Sequence, residues 1–115
     1  MGALSGAWLA EGRDEHGNAI GELFVLKVSI DGAITGVGDD GDGQLQNDQD
    51  FKIVNGNIDL QTRRIEFDQK YSDGAVTRWK CHFDAGSKQL VKGQWSNACK
   101  GTFVANPVDG RVPEV

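Results

Sequence analysis

The sequence predicts an all-β protein, an eight-stranded antiparallel up-and-down β-barrel, and three observations carry that expectation. Glycine supplies 16 of 115 residues against 2 prolines, roughly twice the usual glycine share of about 7%, which suits many tight turns with φ > 0. The dipeptides Asp31-Gly32, Asn55-Gly56, Asp73-Gly74 and Ala85-Gly86 separate short apolar or β-branched runs, and each reads as a hairpin. No segment of helical length carries an apolar stripe at helical spacing. A chain of this length builds one domain around one core, assigned to residues 1–106, with 107–115 as a C-terminal tail.

The first strand is placed at residues 4–10. Residues 22–30 are rich in strand formers and too apolar to be exposed on both faces. Residues 33–37 follow across Asp31-Gly32, and residues 51–54 run up to Asn55-Gly56. Residues 64–71 alternate charged and mostly apolar side chains with period two. Residues 77–83 repeat that pattern, with Thr77, Trp79, Cys81 and Phe83 on one face and Arg78, Lys80 and His82 on the other, as in a half-buried antiparallel strand. Residues 89–95 and 99–105 complete the set. Strands joined in sequence by short connections close most economically as a barrel, because closure pairs both edges; a two-sheet sandwich is the alternative. Gly6, Gly93 and Gly101 fall inside strands, where bulges or close packing call for them.

Twelve Lys and Arg against 17 Asp and Glu give a net charge of −5, which disfavours nucleic acid and anionic membrane surfaces. Asp39, Asp40, Asp42, Asp48 and Asp50 lie within 12 residues that hold no Lys or Arg, and equal the whole imbalance. This segment reads as a solvated loop between strands three and four, with Asp39, Asp40 and Asp42 as candidate lid or partner contacts. A calcium loop starting at Asp40 fails, since its sixth and twelfth positions hold Leu45 and Phe51 rather than Gly and Glu.

Catalytic signals are few, and no enzyme is expected. Cys81 and His82 are adjacent on a strand and so face opposite sides, which prevents a nucleophile and base pairing. His16 sits in a polar loop. Two Cys and two His at these spacings do not make a zinc site, so neither a metal nor a cofactor is expected. Glu66 and Asp68, beside Arg64 and Lys70, read as cross-strand charge partners. Two cysteines are too few for a disulfide scaffold, which favours a reduced, cytoplasmic setting, although a single Cys81–Cys99 bridge is left open. No apolar run approaches the roughly 18 residues of a membrane span, and no leader pattern opens the chain.

With the strands placed, the chain resembles the avidin and streptavidin family of the calycin β-barrels. Gly6-Ala7-Trp8 is similar to that family's Gly-x-Trp opening, and Asp31-Gly32-Ala33-Ile34-Thr35-Gly36 to its second hairpin followed by Thr-Gly. Farther on, Phe67 through Tyr71, Thr77-Arg78-Trp79 and Gln94-Trp95 follow the family's order of aromatic, Tyr, Thr-x-Trp and Gln-Trp. The resemblance implies the barrel and an aromatic-walled cavity, with residues 38–50 closing over its mouth. It does not extend to biotin. Ala10 stands where the family has Asn, Gly38 and Asp40 where it has Tyr and Ser, and Phe67 where it has a stacking Trp. Ligand groups left without hydrogen-bond partners forfeit about 1–3 kcal/mol each.

Trp8, Phe67, Gln69, Tyr71, Thr77, Trp79, Trp95 and Phe103 are the candidate ligand-binding residues, with simple core filling as the competing explanation. The functional expectation is a non-enzymatic barrel that binds a small, mostly apolar or aromatic molecule at its open end. The rivals are a protein-interaction module with a filled barrel that uses loops or the acidic 38–50 segment, and a β-barrel protease inhibitor. Charged outward positions such as Arg64, Glu66, Arg78 and Lys80 point to a monomer or weak homo-oligomer.

Overall fold

A computed structural model describes residues 4–40 and 51–108. Eight strands, β1 (Gly6–Asp14), β2 (Ala19–Val28), β3 (Ala33–Asp40), β4 (Phe51–Ile58), β5 (Arg64–Tyr71), β6 (Val76–Asp84), β7 (Gln89–Ser96) and β8 (Lys100–Pro107), follow one another in sequence. Each pairs antiparallel with its neighbours, and β1 pairs with β8 from Trp8↔Pro107 to Asp14↔Gly101, closing the barrel. The sandwich alternative is thereby excluded. Among the described residues no helix is long and apolar enough to cross a membrane.

Period-two patterning dictates the wall. On β6, Thr77, Trp79, Cys81 and Phe83 are buried, and on β5 the same alternation turns Ile65, Phe67 and Gln69 inward. β2 is apolar on both faces for a reason of its own. Phe24 and Leu26 join the barrel core, whereas Leu23 and Val25 form a small outer cluster with Ala7, against which Val37 and Val108 pack. Val108 N donates to Ala7 O at 2.9 Å, so the chain beyond β8 is tied back onto β1. The closing seam depends on two bare positions. A Cβ at Gly12 would stand 1.9 Å from Thr102 O, and one at Gly101 would stand 2.1 Å from Arg13 O.

Several expected boundaries shift. β1 continues to Asp14 and β8 to Pro107. Asn55-Gly56 is not a hairpin; it lies inside β4, where the β4–β5 register slips between Val54 and Asn57 and Asn55 takes φ 52°. Asn tolerates the left-handed region in a bulge as readily as in a turn. A Cβ at Gly56 would stand 2.6 Å from Ile34 O, so the bulge also lets β3 approach. The actual β4–β5 turn is built on Asp59, whose carboxylate accepts from Gln61 N and Thr62 N, and Arg63 takes φ 62°.

The two ends of the barrel differ. At one end lie the β2–β3, β4–β5 and β6–β7 turns, each with an aspartate bonded into it. Asp31 accepts from Ser29 Oγ and Ala33 N, Asp59 from the amides just named, and Asp84 from Ser87 Oγ and Gly86 N. Those hydrogen bonds hold the three carboxyls below their ordinary pKa: Ser29 foremost for Asp31, the Thr62 amide for Asp59 and Ser87 for Asp84. Leu4, fully buried just before β1, plugs this end, and Trp8 Nε1 donates to its carbonyl at 2.8 Å. Trp8 meets Phe83 edge-on at 6.3 Å.

Candidate functional site

Trp79 is the centre of the aromatic core. Its ring meets Phe24 and Phe103 edge-on at 4.9 and 4.7 Å and stacks on Phe67 at 6.3 Å. Such contacts add about 0.5–1.5 kcal/mol each beyond area burial. The β5–β6 register sets Phe67 opposite Trp79 and Gln69 opposite Thr77, which leaves Gln69 diagonal to the indole. Trp79 Nε1 accordingly donates to Gln69 Oε1 at 2.8 Å, and Gln69 Nε2 donates to Tyr71 Oη at 3.0 Å. A buried amide is tolerated there because both of its ends are engaged.

Above this floor, at the end opposite Leu4, lies a recess of about 630 Å³. Gln69, Tyr71, Thr77, Trp79 and Trp95 line it, joined by Ile20, Glu22 and Asn97. Thr77 Oγ1 accepts from Asn97 Nδ2 at 2.8 Å, linking the foot of β6 to the β7–β8 turn. Trp95 faces Trp79 across the β6–β7 pair with ring centroids 6.4 Å apart. Its Nε1 is buried and has no hydrogen-bond partner among the described residues.

The remaining sequence-predicted residues lie elsewhere. Phe67 and Phe103 sit beneath Trp79 as core, and Trp8 belongs to the plugged end. The acidic segment is also revised. Asp39 and Asp40 are not loop residues but the last residues of β3, and Asp39 is buried, 7% exposed, opposite Leu23. Asp42 lies outside the described residues. Ile20, Glu22 and Asn97 escaped the sequence reading. Ile20 preceded the assumed start of β2, but the spacing of Glu22 to Phe24 and Leu26 already placed Glu22 on the inward face.

The cysteines are both free, which removes the bridge alternative. Cys81 is buried in the core and its thiol is pushed up to about 12 by desolvation, while Cys99 is exposed. Among the described residues no group of three His, Cys, Asp or Glu side chains is placed to hold a metal ion. On the outer wall Arg78 binds Glu66 at 2.9 Å and Asp68 at 3.0 Å, the cross-strand pairing expected of those acids. Its guanidinium pKa is raised, first by the hydrogen bond to Asp68. Near it an outer groove of about 530 Å³ between β6 and β1 is lined by Arg13, Arg78, Lys80 and Lys100 together with Asp14 and Glu15.

This geometry defines a closed, eight-stranded antiparallel up-and-down barrel, the architecture of the general calycin and lipocalin class. Comparison with protein families, curated proteins and solved structures finds no match to the chain. The particular avidin-like relationship therefore has no support beyond the motifs themselves.

Proposed function

We propose that this protein is a non-enzymatic binding protein that takes a small, mostly apolar molecule into the recess at the open end of its barrel. The observation that carries the reading is the recess itself, about 630 Å³ in volume and bounded by Trp79, Trp95 and Tyr71. That volume falls in the range of small-molecule sites. Its polar side chains are largely held by one another, Gln69 by Trp79 and Tyr71, and Thr77 by Asn97, so the site is pre-formed. Apolar contact with the indole faces supplies most of the affinity.

Tryptophan fluorescence titrated with small aromatic and lipid-like probes tests this, with quenching or a spectral shift expected from at least one. Trp79→Leu weakens that response at least about tenfold, as loss of roughly 1.4 kcal/mol of contact requires. A flat signal across the whole panel would refute the proposal.

A second reading, a protein-interaction module, has one observation in its favour. The outer groove gathers Arg13, Arg78, Lys80 and Lys100 on a chain whose net charge is −5. Contacts made there weaken with ionic strength, whereas the recess responds little to salt.

A further inference from the structure

We infer that the ligand of the recess is a small organic ammonium ion carrying a flat apolar body, an inference that rests on the binding function proposed above. Among the described residues the lining combines three aromatic rings, Trp79, Trp95 and Tyr71, with one carboxylate, Glu22, and no Lys, Arg or His side chain. The chain holds 12 Lys and Arg; among the described residues none of them lines the recess, while four line the outer groove that adjoins it at Trp95.

An aromatic ring presents a negative face, and an ammonium over that face is attracted by about 0.5–2 kcal/mol, more strongly as water is removed. Glu22 is half-buried on the inward side of β2, two residues before Phe24, where its charge is screened less than on the open surface. A cation entering the recess therefore exchanges its hydration for ring faces and a carboxylate, which offsets the cost of burial. An anion meets the same faces and the same carboxylate as repulsion. A neutral molecule gains apolar contact alone.

Isothermal titration of the full chain with three matched probes tests the inference: phenethylamine as cation, 2-phenylethanol as neutral analogue and phenylacetate as anion. Phenethylamine is expected to bind about tenfold tighter than the alcohol, and phenylacetate more weakly than either. In Glu22→Gln the amine falls to within about threefold of the alcohol. Near-ultraviolet circular dichroism checks that the variant is folded; if it is not, the ranking of the three probes on the unaltered chain decides alone. Equal binding of amine and alcohol, tighter binding of the acid, or an amine preference undiminished in folded Glu22→Gln overturns the ammonium inference and leaves the ligand recess standing. Absence of binding by all three probes at millimolar concentration, with a flat fluorescence panel, overturns both.

Discussion

The plugged and open ends of this barrel are made from the same kind of strand, yet their interiors differ in chemistry. At the plugged end Leu4, Trp8, Phe83 and Leu90 are buried, and the one polar atom among the rings, Trp8 Nε1, is given to a backbone carbonyl. At the open end the inward file of β5 changes from Phe67 to Gln69 to Tyr71, and β6 begins with Thr77, so hydrogen-bonding groups replace hydrocarbon where the wall meets solvent. A barrel of this size can be filled by its own side chains or leave room for one small molecule. Here the described side chains fill one end and leave a recess at the other, with Trp79 at the boundary.

The sharpest way to break that comparison is to shorten one aliphatic side chain at each end. Leu4→Ala, at a fully buried position, is expected to cost about 2–5 kcal/mol, and Ile20→Ala, half-buried on the recess lining, about 1 kcal/mol. Urea unfolding midpoints measure both, and equal losses would erase the distinction between a plug and a mouth.

Gln69→Leu probes the boundary itself. It leaves the Trp79 indole N–H buried without its acceptor, and about 1–3 kcal/mol of stability should go with it. Because Gln69 also holds Tyr71, probe binding in the recess should weaken in the same variant. Stability unchanged in urea would show that the Trp79–Gln69–Tyr71 chain is incidental.

The smallest expected effect concerns acid. Asp31, Asp59 and Asp84 have folded pKa values below the unfolded ones, so their stabilisation is present above the unfolded value of about 4 and is lost as pH falls through the folded pKa. Urea midpoints should decline from about pH 4 downward. The triple change of these residues to Asn should flatten the decline more than Asp14→Asn, whose carboxyl is lowered in the same way, first by the Asn18 amide, in the β1–β2 turn. An undiminished slope in the triple variant would place the acid sensitivity elsewhere.

Much of the fold was legible because the strands obey simple alternation. β5 was delimited correctly, and the inward set of β6 followed from period two alone. Legibility failed where one residue type serves two geometries. Asn55-Gly56 has hairpin chemistry but makes a bulge, and Asp39 belongs to an acidic run yet is buried on a strand. The site was legible in its aromatic half, since large inward rings of a small barrel must meet. The division of those rings between plug, floor and lining was not, because it depends on how far each strand extends. Ile20 lies before the strand start at residue 22 that the sequence suggests, and Glu22 is the first residue of that strand, where its charge masks its inward position. Asn97 reaches Thr77 across a turn, a contact at a separation of 20 residues that no local pattern encodes.

The contrast between the two thiols has a practical consequence. Cys99 follows Asn97 and Ala98, both part of the recess lining, and Cys99 N donates to Asn97 Oδ1 at 2.7 Å. Cys81 is sealed in the core with its thiol pushed up to about 12, so it stays protonated and unreactive towards maleimides at neutral pH. The unmodified chain thus accepts a single dye or spin label at the rim, and occupancy of the recess becomes readable as a spectroscopic signal without engineering a residue.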